Sequence, residues 1–137
     1  MIYNKNMKTA RDTKYSKDVL LAIQKLGHAT NADVHTLLTA KYPEVSATTI
    51  HRASARLYER GLVGNAPVDV HGAMRYDADI NAHDHFICTK CGGIRDIDIA
   101  EDFIPKISKA LGGCKVTGRL VINGSCESCL KNTSEDL

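Results

Sequence analysis

The sequence predicts an α+β protein in two parts, a helical N-terminal unit followed by a smaller mixed α/β unit. Three observations predict this. Apolar residues recur at helical spacing up to about residue 60. Beyond about residue 82 the period shortens to the alternation of strands. Four of the five cysteines form two CxxC pairs, Cys88/Cys91 and Cys126/Cys129, both in the second part. The expected division is 1–78, a polar hinge over 79–82, and 83–137.

Composition narrows the class before any motif is read. The 137 residues are 43% apolar and 25% charged, which is globular rather than disordered. No apolar run approaches the roughly 20 residues that span a bilayer. The start, MIYNKNMKTAR, lacks the apolar core of a signal peptide. A cytoplasmic protein with reduced thiols is expected, and there CxxC pairs read as metal ligands rather than disulfides. Residues 1–79 hold 11 Lys and Arg against 8 Asp and Glu, while 80–137 hold 7 against 8. That imbalance is a mild pointer to an anionic partner for the first part, such as nucleic acid.

The first dozen residues are polar and are expected to fray. From about Thr13 to Leu26, Val19, Leu20, Ile23 and Leu26 form one helical face, and Gly27 stops the helix. Thr30 can cap a second helix with Val34, Leu37 and Leu38 inward, ending at Tyr42-Pro43. Ser46 can cap a third through about Arg60, with Ile50, Ala53 and Leu57 inward and Gly61 as its C-cap. Leu62-Val63 and Met74-Arg75-Tyr76 read as a two-stranded ribbon around a turn at Asp69–Gly72. Three short helices and a ribbon fit a winged helix-turn-helix, and fit equally a small helical core with no role at DNA.

Asp77 to Ala82 reads as the hinge. His85–Cys88 and Ile94–Ile99 follow as strands. Residues 101–111 form a helix with Phe103, Ile104, Ile107 and Leu111 on one face. Val116, Gly118, Leu120 and Ile122 alternate as a third strand. A unit of this size is marginal alone and needs a metal or a second subunit.

The two CxxC pairs carry the clearest chemistry. Each turn presents two thiolates, and two such turns complete a tetrahedral sulfur shell suited to Zn²⁺. Such a closed shell leaves no open position, so its role is structural. Thirty-four residues separate Cys91 from Cys126, so strands and a helix fold between the pairs and the ion clasps the ends of the unit. Cys114, after Gly112-Gly113, reads as a spectator near a turn. His83 and His85 stand two apart on an extended segment and so point the same way. With Asp77 and Asp96 nearby they offer a mixed N/O set suited to Fe²⁺, Mn²⁺ or Zn²⁺. His28, at the start of the second helix, is not placed by spacing and reads otherwise as a turn histidine.

These stretches together resemble the ferric uptake regulator (Fur) superfamily of metal-dependent bacterial repressors. The matching segments include His28-Ala29-Thr30, PEVSATTIHR at 43–52, Glu59-Arg60-Gly61-Leu62-Val63, Arg75-Tyr76-Asp77, HDHFICTKCGGIRDID at 83–98 and GSCESC at 124–129. The resemblance implies an N-terminal winged helix-turn-helix DNA-binding domain, a hinge, and a C-terminal α/β dimerisation domain. It implies a homodimer that closes on double-stranded operator DNA when metal binds at the hinge. Cys88, Cys91, Cys126 and Cys129 take the place of the family's structural zinc ligands.

The regulatory set resembles the peroxide-responsive (PerR) branch. Its three histidines and two aspartates fall on His28, Asp77, His83, His85 and Asp96, a five-ligand shell for Fe²⁺ or Mn²⁺ with one octahedral position open to peroxide. Iron-sensing members more often carry Glu at the two Asp positions and a further metal site, where this chain has Ala82 and Gly118. The branch implies oxidation of His28 or His83 as the signal, so the protein is not an enzyme. Thr48, Thr49, His51, Arg52 and Arg56 are the expected DNA contacts. The chain departs from the family pattern at His51 for a usual tyrosine, Ser54 for a common leucine, and Ser16, preceded by Tyr15, for a basic residue of the first helix. The alternatives are an iron- or zinc-responsive uptake regulator, a hydrolytic metalloenzyme, and a metal-stapled binding module that senses nothing.

Overall fold

The computed structural model describes residues 10–117 and 119–135. It divides into two compact units, one running to Ile80 and the other from Asn81. Fraying is expected over the first dozen residues; residues 1–9 and Gly118 lie outside the described residues, while residues 10–12 are already in a helix.

The first unit is a winged helix. Helix α1 (Ala10–Leu26) begins three residues before the expected start and ends at Gly27, whose φ of +80° an L side chain resists. Its buried stripe is Tyr15, Val19, Ala22 and Ile23. Leu26, expected inward, is exposed because it falls at the end of that stripe, beside the Gly27 turn. Strand β1 (His28–Ala29) follows at once, so His28 lies on a strand and not at the start of the second helix.

Thr30 caps helix α2 (Asn31–Leu38) in a reciprocal box. Its hydroxyl accepts from the Asp33 N–H, and the Asp33 carboxylate accepts from the Thr30 N–H, each at 3.0 Å. The helix ends at Leu38, before the expected Tyr42-Pro43 stop. Both Lys41 and Tyr42 donate back to the Leu38 carbonyl, and the turn sets Tyr42 edge-on against Tyr15 at 4.9 Å. Helix α3 (Ala47–Glu59) is capped by Ser46, whose hydroxyl accepts from the Thr49 N–H. Ile50, Ala53 and Leu57 face the core as expected. Ser54 is fully buried beside them, and its hydroxyl has no hydrogen-bond partner.

The wing begins later than expected. Leu62 still donates to the Leu57 carbonyl, closing the helix around Gly61 at φ +75°, so strand β2 is Gly64–Ala66. Strand β3 (Arg75–Asp77) takes in Asp77, which belongs to a strand rather than to the hinge. The sheet order is β1-β3-β2, antiparallel, with Asp77 opposite both His28 and Gly64, and Tyr76 opposite both Ala29 and Asn65.

In the second unit, β4 (Asp84–Cys88) pairs antiparallel with β5 (Ile94–Ile97) and parallel with β6 (Val121–Gly124). Between them runs helix α4 (Ala100–Ala110), and helix α5 (Glu127–Glu135) follows β6. The third strand starts at Val121, not near Val116, because the Leu120 N–H is taken by the Asp84 carboxylate at 3.0 Å. β5 stops at Ile97 because Ile99 opens α4. No residue of α4 is buried within the chain. Its apolar face instead borders an open groove of about 490 Å³ with Ile97, Phe103, Ile107, Val121 and Ile122 in its walls. No described helix is long and apolar enough to cross a membrane.

Candidate metal centres and nucleic-acid interface

The topology of the second unit explains the long interval between the CxxC pairs. β4 and β6 run parallel, with Cys88 opposite Gly124, and the Thr89 N–H donates to the Gly124 carbonyl at 2.8 Å. The first pair therefore turns off the end of β4 and the second begins beyond the same end of β6. A parallel pair needs a crossover, and β5 and α4 are that crossover.

The four sulfurs lie within 4.8 Å of one another. Cys88 and Cys129 Sγ are 3.6 Å apart, and Cys91 and Cys126 Sγ 3.9 Å. A tetrahedral shell with Zn–S bonds of about 2.3 Å places its sulfurs about 3.8 Å apart. The donor set and its spacing fit Zn²⁺, with no movement of the fold required. Backbone donors support it: the Cys91 and Cys126 N–H groups reach Cys88 Sγ at 3.5 and 3.3 Å, and the Gly93 N–H reaches Cys91 Sγ at 3.4 Å. Those donors, Cys91 first and Cys126 next, hold the Cys88 thiol down at about 5. Hydrogen bonds with Cys126 and Cys88 push Cys129 up to about 12. A thiolate is thus favoured at Cys88 before any cation arrives. Cys114 is exposed, and its carbonyl accepts from the Ser108 hydroxyl.

The His/Asp residues fall into one pair and one triplet. In the first unit His28 Nε2 stands 3.6 Å from Asp77 Oδ2, as their register opposite one another dictates. Asp77 is buried, and its Oδ1 accepts from the Asp79 N–H at 2.9 Å, leaving Oδ2 toward the imidazole. In the second unit His83 and His85 Nε2 stand 3.3 and 3.2 Å from Asp96 Oδ1, with ring centroids 4.5 Å apart. His83 Nδ1 lies 2.6 Å from the Asn81 carbonyl, which only accepts. An N–H at Nδ1 satisfies that carbonyl and leaves Nε2, the nitrogen beside Asp96, as the atom available to a metal. The alternation that sends the two imidazoles one way sends Asp84 the other.

Asp84 is the residue that sequence reasoning missed. It is buried, and its two oxygens accept from the backbone N–H groups of Ile99, Ala100 and Leu120. Burial raises its pKa, but the three donors outweigh that and hold the carboxyl below the ordinary value. It fastens β4 to the start of α4 and the entry to β6, which steadies the strand carrying His85. An acidic residue between two same-facing histidines was the available signal.

On α3, Thr48, His51 and Arg52 are exposed, while Thr49 and Arg56 are half-buried. The Thr49 hydroxyl accepts from Ser46 at 3.0 Å and so belongs to the cap as well. The wing tip, residues 67–74, contains no Lys or Arg. Its Asp69 carboxylate accepts from the His71 and Ala73 N–H groups and holds the turn closed.

A winged helix followed by a mixed sheet that gathers four thiols defines a metal-holding DNA-binding regulator. The model of the Ferric uptake regulator family matches residues 5–119, and the chain belongs to this family. It is 30% identical over 111 residues to the peroxide operon regulator of Bacillus subtilis, covering 80% of this chain and 76% of that one. It is also 30% identical over 109 residues to the ferric uptake regulation protein of Bordetella parapertussis, covering 77% and 78%. The structure of the Helicobacter pylori ferric uptake regulator aligns over 90% of this chain and 82% of its own, with a TM-score of 0.71 at 17% identity, a likeness of fold. The protein is thus a metal-responsive transcriptional regulator and not an enzyme, and members of its family bind operator DNA as dimers.

Proposed function

We propose that this chain is a cytoplasmic, homodimeric, metal-dependent repressor that responds to hydrogen peroxide. Residues 1–78 bind operator DNA, 79–82 hinge, and 83–137 dimerise and hold structural Zn²⁺ through Cys88, Cys91, Cys126 and Cys129. His28, Asp77, His83, His85 and Asp96 bind one regulatory Fe²⁺ or Mn²⁺. Because His28 and Asp77 lie before the hinge and the other three after it, a shared ion ties the two units together. Thr48, Thr49, His51, Arg52 and Arg56 face the operator. A second copy covers the apolar groove beside α4, where Phe103, Val121 and Ile122 are otherwise exposed.

The observation that carries the peroxide reading is the donor set itself: three imidazoles and two aspartates, with no thiol. Five donors leave one position of an octahedron for peroxide. The chemistry a bound ferrous iron would supply is the opening of the O–O bond, by an electron it lends and recovers from the imidazole, so that both electrons reducing the peroxide come in the end from the histidine. The imidazole of His28 or His83 gains one oxygen atom at a ring carbon and keeps its hydrogens, and the other peroxide oxygen leaves as water. A ligand altered in this way holds metal less well, and the DNA is released. With Mn²⁺ in the same shell the histidines stay intact.

DNA binding by the Mn²⁺ and Fe²⁺ forms, each with and without peroxide, followed by peptide mass mapping, tests this. The Fe²⁺ form should lose DNA and gain the mass of one oxygen at His28 or His83, and the Mn²⁺ form should do neither. Unmodified peptides with repression intact would favour an iron- or zinc-responsive uptake regulator. The equal 30% identity to relatives of both names keeps that second reading in view.

A further inference from the structure

The three-residue strand β3 presents two different surfaces. Asp77, opposite His28, points to one face of the sheet, and successive side chains alternate, so Tyr76 points to the other. Tyr76 is buried, at 2% exposure, with its ring 6.4 Å from that of Tyr58 in the last turn of α3. Asn65, the register partner of Tyr76 on β2, donates through Nδ2 to the Tyr58 hydroxyl at 3.1 Å. The helix that carries His51 and Arg52 is therefore fastened at its C-terminal end to the strand pair that carries a metal ligand. Asp77 and Tyr76 are adjacent, so a change in the position of one carboxylate moves the platform against which Tyr58 rests.

We propose that Tyr58, held by Asn65 and tilted against Tyr76, is a positioning residue that couples the His28–Asp77 pair to α3 within the first unit. This rests on the metal-dependent DNA binding proposed above and adds to it. Metal then does more than tie the units together; it also sets the angle of α3 through β3. A packed strand with two surfaces is the kind of element that transmits a small displacement, because close-packed interiors do not absorb it. By linkage, whatever raises DNA affinity on metal binding raises metal affinity on DNA binding by the same factor.

The test uses the full chain and a duplex that wild type selects from a random-sequence library in Mn²⁺. DNA affinity is measured with and without Mn²⁺ for wild type, Tyr58→Phe and Asn65→Ala. Both variants should bind DNA in metal-free buffer within about twofold of wild type. The enhancement by Mn²⁺ should fall by about threefold or more. Amide hydrogen exchange at residues 57–60 gives an independent readout: Mn²⁺ should slow it in wild type and leave it unchanged in Tyr58→Phe. A contact that only stabilises α3 would weaken binding equally in both buffers and leave the ratio intact. A responsive wild type with an equal ratio in both variants overturns the inference alone. A wild type indifferent to Mn²⁺ overturns the parent reading as well.

Discussion

The two units are held together by different forces. The first has a dry core of its own: Val19, Ile23, Ala29, Val34 and Ile50 are wholly buried, with Leu57, Val63 and Tyr76 packed around them. The second, among its described residues, buries only Ile87 and Cys88 of its hydrophobic side chains. Phe103, Leu111, Val121, Ile122 and Leu130 remain exposed. Its backbone is fastened by polar devices instead, the Asp84 clamp and the N–H···S bonds around Cys88. The first unit folds by excluding water; under the proposed function the second is completed by an ion and a second copy. Under that reading the integrity of the second unit follows metal and partner, while the first unit keeps its fold without either.

The largest effect expected is therefore confined to one side. Removing zinc with a chelator, or Cys88→Ser, should unfold the second unit and leave the first folded. Structural zinc in small domains contributes on the order of 10 kcal/mol, more than this unit's apolar burial can replace. Hydrogen exchange resolved by peptide shows it: protection lost from residues 84 onward and kept across α1 to α3. All five tyrosines lie before residue 80 and there is no tryptophan, so tyrosine fluorescence follows the first unit alone. Simultaneous loss of both signals would erase the contrast.

The reciprocal break is Ile50→Ala. Ile50 is wholly buried on α3, and truncation should cost about 2–5 kcal/mol in the tyrosine-detected transition while zinc content stays the same. Next comes Phe103→Glu on the open face of α4. Phe103 is 46% exposed, so the unit itself should tolerate the change. A charge buried against a second copy should raise the dimer dissociation constant by about 30-fold or more, as read by sedimentation. A dimer that persists would place the partner on another face.

The same division governs what was legible in the sequence. Features written in local chemistry were readable: the Thr30 and Ser46 caps, the Gly27 and Gly61 stops, and the paired CxxC turns. Features written in pairing between distant segments were not. β1 has two residues and no period, and only its partner β3, almost fifty positions on, makes it a strand. His28 therefore read as a turn histidine until a family likeness pointed to it, although its register opposite Asp77 is what gives it a carboxylate neighbour. β6 starts later than its alternation predicts for a related reason. Alternation from Val116 onward looks like a strand, but Leu120 gives its N–H to Asp84, thirty-six residues away. Asp84 is in sequence only the spacer of a histidine pair, because its three partners lie 15 to 36 residues away.

The smallest effect is expected inside the first unit, where polar groups sit at the margin of the core rather than in place of it. The Tyr42 hydroxyl donates to Asp18 at 2.6 Å, and Lys41 lies 3.5 Å from the same carboxylate. The Tyr42 bond is the chief cause that holds the Asp18 carboxyl below its ordinary value, against burial and with help from Lys41. A depressed folded value means that the stability it contributes is present above the unfolded carboxyl value, about 3.9, and is lost as pH falls through the folded one. Asp18→Asn keeps an acceptor but removes the charge. It should be less stable than wild type at pH 7 by under about 1 kcal/mol, since the carboxylate is partly exposed and solvent screens it. Urea unfolding followed by tyrosine fluorescence should show the two curves converging below about pH 4. A difference that does not shrink as pH falls below the ordinary carboxyl value, about 3.9, would mean that Asp18 acts through shape and not charge, which would put this margin on the same footing as the core.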